Sequence, residues 1–325
     1  MAQITVDKQE MKAALRRIKP VGGDQVHLIY SPTTLILRAI GLEHIAETTL
    51  RCHVRGHGCA TVNRVAITRE VTEHGSGPMG IGGDPSSVPP PYLPEPGPSF
   101  LADAETLLQA YTFAQCRAGK GPGPALYHWI GIALHRGKLL VSAARKKSAA
   151  LIEVPGYGEM YALDILVPKD VKYALRQLDG EIRIAQQGHY LRLRSSDLTL
   201  WIRSLPAPQI STLRILRELI ICAEVKVDAG KLGAVIKAAP TSAAMVYLDG
   251  VHEQVRVSCG IGYLRTLPSL GLSNGGWWLD AADLRRILPR SAGDIVFHGQ
   301  TNVGPILVRD SANPYYHLIT TRRPE

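Results

Sequence analysis

The sequence predicts an α+β chain built from one small unit, a strand, a short amphipathic helix and three further strands, repeated about six times. Three observations lead there. Two C-terminal stretches read alike element for element, the same order recurs in three other stretches, and 45% of residues are hydrophobic against 20% charged, a globular balance.

The two C-terminal stretches carry the repeat most openly. The first runs through 161–164, 166–178, 181–184, 190–194 and 198–203; the second through 277–280, 281–288, 294–297, 305–309 and 315–319. In the first, Val171, Leu175 and Leu178 fall at i, i+4 and i+7, which puts them on one helical stripe. In Tyr190-Leu-Arg-Leu-Arg194 apolar and basic residues alternate, which puts them on opposite faces of a strand. Asp164 and Asp280 stand ahead of their helices, where a carboxylate can accept from free N–H groups.

The same unit opens at 223–228, followed by a helix over 231–237 and strands around 245–248, 255–259 and 263–267. Another opens at 99–103, with a helix near 105–116 and strands near 129–134, 138–142 and 149–154. The first opens at Ile4-Thr-Val-Asp7, with Met11, Leu15 and Ile18 striping its helix. Between about Cys52 and residue 99 only one helix-like piece, 62–71, stands out. The stretch 74–99 is rich in Gly, Pro and Ser, with Pro89-Pro-Pro91, a composition that cannot build a hydrogen-bonded ladder. It reads either as a sixth unit that kept its helix and lost strands, or as a Pro-rich linker.

Composition bounds function. The net charge of +9 and pI near 9.4 favour a polyanionic partner. The five cysteines are scattered, so reduced thiols are expected. No apolar run reaches the length of a membrane span and the first residues lack a basic-then-apolar leader, so the expectation is a cytoplasmic protein without membrane contact.

The ordered set of features resembles the bacterial DNA polymerase III beta subunit, the beta sliding clamp. Ile4-Thr-Val-Asp-Lys-Gln-Glu-Met-Lys-Ala-Ala-Leu15 and Gly22-Gly23 are similar to that family's start. The stretch 100–155, with Gly137-Lys-Leu-Leu-Val-Ser142 and Glu153-Val-Pro155, resembles the opening of its middle domain. Val167-Pro-Lys169 resembles the start of the next helix unit, and Pro305-Ile-Leu-Val-Arg309 with Tyr315-Tyr-His-Leu-Ile-Thr-Thr-Arg322 its close. The likeness spans nearly the whole chain except about 53–98. It implies a DNA-clamp fold of three domains, 1–98, 99–205 and 206–325, each from paired units, with helices inside and sheets outside. It further implies a head-to-tail homodimer closed into a ring, opened by a clamp loader and holding a DNA polymerase on duplex DNA.

The helices suit that role. Sequence-independent tethering needs cations near phosphates and no reading of bases. Lys8, Lys12 and Arg16 share one face, with Arg17 and Lys19 adjacent. Lys169, Lys172 and Arg176 do the same, Arg285 and Arg286 follow in the last unit with Arg290 beyond, and Lys231 and Lys237 are less well phased. After Gly22-Gly23 many family members carry a DNA-reaching cation; this chain has Asp24.

The resemblance also implies a cleft between the middle and last domains that takes a short peptide from polymerase and loader. The matching positions are Trp129, Ala144, Lys146, Lys147, Ala149, Leu318, Ile319, Thr320 and Thr321. The family's Asp-Gly-His-Arg loop is replaced by Arg145-Lys-Lys-Ser148, and its apolar, Pro-containing tail by Ile319-Thr-Thr-Arg-Arg323. Apolar anchors need desolvated apolar walls, so either the partner peptide differs, with acidic residues, or the cleft is degenerate.

Other motifs have plainer explanations. Cys52, His53, His57 and Cys59 lie within eight residues, but the spacing is not that of a zinc finger and a strand end turning at Gly56 and Gly58 explains it. Gly80-Ile-Gly-Gly-Asp84 joins no strand to a helix, so it is no phosphate loop. No nucleophile, base and orienting group come as a set, so the expectation is a binding protein, not an enzyme, with no cofactor and no metal. Two alternatives stay open: a clamp-fold interaction or regulatory protein that closes no standard ring, and an unrelated enzyme built from α+β units.

Overall fold

The computed structural model describes residues 4–73, 78–81, 84–85, 97–118, 129–145, 148–207, 215, 219, 221–240, 245–259, 262–288, 293–300, 304–312 and 315–320; at 78–81, 84–85, 116–117, 145, 148, 271–273, 315–316 and 318–320 it describes the backbone alone.

The chain opens with β1 (Ile4–Asp7), α1 (Lys8–Ile18), β2 (Gln25–Tyr30), β3 (Thr34–Ile40) and β4 (His44–His53). Then come β5 (Gly58–Asn63), α2 (Arg64–Glu73), β6 (Pro78–Ile81) and β7 (Asp84–Pro85). The third set is β8 (Ser99–Asp103), α3 (Ala104–Arg117), β9 (Trp129–His135), β10 (Lys138–Arg145) and β11 (Ser148–Val154), with β12 (Gly156–Gly158) after it. The fourth is β13 (Asp164–Pro168), a 3₁₀ turn at Lys169–Val171, α4 (Lys172–Leu175), β14 (Glu181–Gln187), β15 (Tyr190–Arg194) and β16 (Leu198–Arg203), trailed by β17 (Leu205–Pro206). The last two share strands: β18 (Ala223–Asp228), α5 (Ala229–Ala238), β19 (Met245–Ser258), β20 (Leu264–Asp280), α6 (Ala281–Ile287), β21 (Asp294–Gly299), β22 (Pro305–Asp310) and β23 (Tyr315–Thr320).

The junction from opening strand to helix is the same almost everywhere. Asp7 accepts from Glu10 N at 2.9 Å, Asp103 from Thr106 N at 2.7 Å, Asp228 from Lys231 N at 2.7 Å and Asp280 from Ala282 N at 2.8 Å. Asn63 accepts from Val65 N and Ala66 N at 2.9 and 3.1 Å. Each side chain satisfies one or two of the N–H groups that a helix start leaves open. Hydrogen bonds from backbone and hydroxyl of Thr106 hold the Asp103 carboxyl below its ordinary range.

Helices lay their apolar stripes on the sheets. Met11, Ala14, Leu15 and Ile18 of α1 are buried, as are Ile67 and Val71 of α2 and Val171, Ala174 and Leu175 around α4. Burying one such large side chain is worth about 1.5–3 kcal/mol. Around α5 and α6 a core gathers Leu232, Ile236, Leu284 and Phe297, centred on Trp277, whose Nε1 donates to Gln300 O at 2.6 Å.

The chain divides into two compact units, Met1–Gln109 with Pro155–Pro206, and Ala110–Val154 with Ala207–Glu325. In the first, an antiparallel sheet runs β12-β8-β14-β15-β16-β4-β3-β2-β5-β7. At its middle β16 pairs β4, Leu198 facing Thr48 and Ile202 facing His44, and Thr48 Oγ1 donates to Asp197 O at 2.8 Å. In the second unit the order is β9-β10-β11-β23-β22-β21-β18-β20-β19, and β11 pairs β23 from Ser148 facing Ile319 to Ile152 facing Tyr315. At both joints the last strand of one repeat pairs with the last strand of another.

Three expectations need correction. The fourth set opens at Asp164–Pro168, not at 161–164, so Asp164 begins a strand and caps no helix. Pro168 holds Val167 extended, which excludes 166–167 from a helix, and Ile165, Leu166 and Val167 are all buried as strand residues. The helical part shrinks to the 3₁₀ turn and α4, which has no side-chain cap. Second, the 74–99 stretch holds two short strands: β6 pairs β1, and β7 pairs β5. Pro78 stands at the first residue of β6 and Pro85 at the last of the edge strand β7, positions where proline's missing N–H costs little.

Third, the strands expected at 245–248 and 255–259 are one strand, β19, and those expected at 263–267 and 277–280 are one strand, β20. Val246 and Leu248 are buried at even positions, Val255 and Val257 at odd ones. A bulge between His252 and Gln254, with His252 at φ 54°, absorbs that change of parity where a chain reversal was expected.

Replacing Asp7, Asp228 or Asp280 by Ala is expected to cost about 1 kcal/mol each in urea unfolding with unchanged slope. Burial pushes His44 and His298 below the ordinary histidine value of 6.5. The unfolded chain therefore binds more protons just below that value, and stability is expected to fall as pH drops through it. Unfolding midpoints at about pH 7.5 and about pH 5.5 test this, with His44→Gln flattening the difference.

Candidate nucleic-acid interface and partner face

The cations singled out in sequence that the structure describes sit on, or one turn from, the helices of the repeat. On α1, Lys12 and Arg16 are exposed, and Lys8 and Arg17 half-buried. The inward face of the same helix carries Met11, Leu15 and Ile18, so packing turns the cationic edge to solvent. In the fourth set Arg176 is exposed, Lys169 and Lys172 half-buried, and the Arg176 guanidinium lies 5.6 Å from the Tyr173 ring centre. On α5 Lys231 and Lys237 are exposed, as are Arg285 and Arg286 on α6. Arg290 lies outside the described residues.

Two of these cations have acidic neighbours. Arg17 Nη2 is 3.1 Å from Asp197 Oδ2, a partner 180 residues away in sequence that periodicity could not supply. Arg286 Nη1 is 3.3 Å from Asp283 Oδ1, an i,i+3 pair within α6. Each pair keeps at least one partner open to solvent and is worth about 0–1 kcal/mol, so it tempers its cation without removing it. Asp24 is exposed, close after the positive-φ glycines Gly22 and Gly23. A Cβ on Gly23 would stand 2.8 Å from Ile40 O, so that tight turn needs its glycine.

A second set of charges lies across β3, β4, β15 and β16. Arg38 Nε donates to Glu47 Oε1 across a register pair, and Arg192 stacks over Trp201, 5.7 Å from the ring centre. Burial raises the Glu47 carboxyl above its usual range, against the nearby Arg38 guanidinium, which lowers it. This cluster holds the β4–β16 joint and was not singled out in sequence; alternation showed the Arg face but not what faces it.

The expected peptide-cleft positions fall on adjacent strands of the second unit. Trp129, half-buried, starts β9; Ala144 on β10 faces Ala149 on β11, which faces Leu318 on β23, which faces Leu307 on β22. Ile319 and Thr320 follow on β23, described in backbone only. Lys146, Lys147 and Thr321 lie outside the described residues. The same sheet face carries an apolar cluster of Ala133, Leu140, Leu151 and Leu307, against which Ala149, Ile215 and Leu219 pack. Ile215 and Leu219 were missed, although their four-residue spacing is the helical signal that could have found them.

Among the described residues no three His, Cys, Asp or Glu side chains gather as metal ligands. Cys52 is buried, its Sγ donating to Ser31 O at 3.6 Å, and Cys59 is half-buried. No helix of the described residues is long and apolar enough to cross a membrane.

No protein-family model matches the chain, and no curated protein does. Solved structures do. The chain is similar to the DNA polymerase III beta subunit of Thermotoga maritima, at 15% identity, TM-score 0.66 and 100% coverage of both chains. It is similar to Caulobacter crescentus pol III beta at 12% identity and TM-score 0.69, and to the Pseudomonas aeruginosa beta subunit at 13% and 0.68, again covering 100% of each chain. The likeness establishes the fold: this is the DNA-clamp fold, α+β, with strand-helix-three-strand units repeated and paired into three domains.

Proposed function

We propose that this protein is a divergent, shortened member of the bacterial DNA polymerase III beta-subunit family that acts as a clamp-type tether on duplex DNA. The observation that carries the reading is the recurrence of solvent-facing cations on successive helices of the repeat: Lys12 and Arg16, Arg176, Lys231 and Lys237, Arg285 and Arg286. Long cationic side chains without a base-reading element favour phosphate contact of no sequence preference. In this reading the domains are 1–98, 99–205 and 206–325, the helices face DNA, and the role is binding, not catalysis. The location is the cytoplasm. A polymerase or clamp loader supplies a short peptide to the face around Trp129, Ala144, Ala149 and Leu318. The run Arg145-Lys146-Lys147 favours acidic residues in that peptide.

Duplex affinity is expected to fall linearly in log–log plots against salt, with no preference among sequences. Lys12→Ala with Arg16→Ala should lower the slope by about 2 and weaken binding equally on all sequences. A flat salt dependence in fluorescence anisotropy would remove this reading and leave the interaction-protein alternative. Asp197→Asn releases Arg17 and removes a charge that repels phosphate. It should strengthen duplex binding a few-fold at low salt, an effect that fades as salt rises.

A further inference from the structure

In the first unit the two kinds of cation are divided between helix and sheet. All five lysines, Lys8, Lys12, Lys19, Lys169 and Lys172, lie in helices or helical turns. The strands carry arginine alone: Arg38, Arg51, Arg183, Arg192, Arg194 and Arg203.

Strand parity gathers four of those arginines. On β15, Tyr190, Arg192 and Arg194 share one face, opposite the buried Leu191 and Leu193. Arg194 is paired with Arg183 of β14 on one side and Thr199 of β16 on the other. Arg192 is paired with Trp201, and Tyr190 with Arg203. Arg183, Arg194 and Arg203 are exposed. Arg192 is half-buried, its guanidinium held over the Trp201 ring, so less of its freedom is left to lose on binding.

Two features set this patch apart from an ordinary solvated face. The first is repulsion without relief. Arg183 and Arg194 are direct cross-strand neighbours, and like charges placed so are destabilising. Among the described residues none of Arg183, Arg194 and Arg203 belongs to an ion pair. The carboxylates of the neighbouring strands on that face are engaged elsewhere. Glu47 accepts from Arg38, Glu181 from Tyr157 Oη at 2.8 Å and Asp103 from Thr106 N at 2.7 Å.

The second is the choice of side chain. Phosphates are served by lysine and arginine alike, as on the helices. Surfaces that meet other proteins are enriched in arginine and tyrosine and depleted in lysine, and a guanidinium grips a carboxylate through two parallel N–H groups. Along β15 the two arginines are two residues apart, about 6.8 Å, the repeat of alternate side chains in any extended chain.

We infer that the outward face of β14, β15 and β16 is a docking surface for an extended acidic segment of a partner protein. One carboxylate of that segment enters between Arg183 and Arg194, and others at alternate positions reach Arg192 and Arg203. The bound anion removes the repulsion that the free sheet carries. The inference goes beyond the clamp reading and holds with or without it.

Fluorescence anisotropy of a labelled poly-glutamate peptide tests it on the whole chain, with an uncharged glycine-serine peptide and duplex DNA as comparisons. The protein is expected to bind the glutamate peptide and not the uncharged one. Arg183→Gln with Arg194→Gln should weaken that binding about ten-fold and leave duplex affinity unchanged. Lys12→Ala with Arg16→Ala should leave peptide binding unchanged. Arg194→Glu should abolish peptide binding yet raise the urea midpoint, because it sets an opposite charge across from Arg183. Failure to bind the glutamate peptide, equal loss in the two double variants, or loss of duplex affinity in the arginine pair variant overturns the inference. So does a lowered urea midpoint in Arg194→Glu. A chain that binds the peptide and no duplex overturns the proposed function and leaves the inference standing.

Discussion

A carboxylate or amide at the last residue of an opening strand, reaching forward to one or two N–H groups, fixes where five helices of this chain begin. Asp7, Asn63, Asp103, Asp228 and Asp280 all do it. The strand end fixes the cap, the cap fixes the first turn, and the first turn fixes which side of the helix meets the sheet. From α1 onward, the placement of Met11, Leu15 and Ile18 inside and Lys12 and Arg16 outside follows from that phase. The cationic edge is therefore a product of capping and packing together. The fourth set shows what happens without the cap: one turn of α-helix behind a 3₁₀ turn, with Lys169 and Lys172 only half exposed.

Much of this was legible in the sequence because it is local. Caps, apolar stripes and alternating strands are set within a few residues, and the elements read at 4–7, 99–154 and 281–319 lie close to where the chain puts them. What escaped reading is non-local or depends on competing local rules. Pro168 outweighed the helical stripe at its own boundary, shifting β13 past Asp164. The parity change between Leu248 and Val255 looks identical in sequence whether a turn or a bulge resolves it. Asp197 reaches Arg17 only because β16 pairs β4, and no spacing encodes that.

The row of positions proposed to take a peptide was legible through resemblance alone. The pairing Ala144 to Ala149 to Leu318 to Leu307 brings together residues from four strands, two of them separated by more than 150 positions. Ile215 and Leu219 add apolar surface to the same side from the stretch before β18.

The lengthened hairpin carries one more consequence. Among the described residues β19 is the last strand of its sheet, and a strand of that length with an open side is a template on which other extended chains can stack, which ends in fibres. Its outer half is guarded: the backbone kinks at His252, Glu253 and Arg256 bring opposite charges to the surface, and Pro268 faces Gln254 from the neighbouring strand. Those residues keep the open side from recruiting its like. Neutral or apolar replacements at Glu253 and Arg256 would turn that open side into a hazard for the cell that makes the protein.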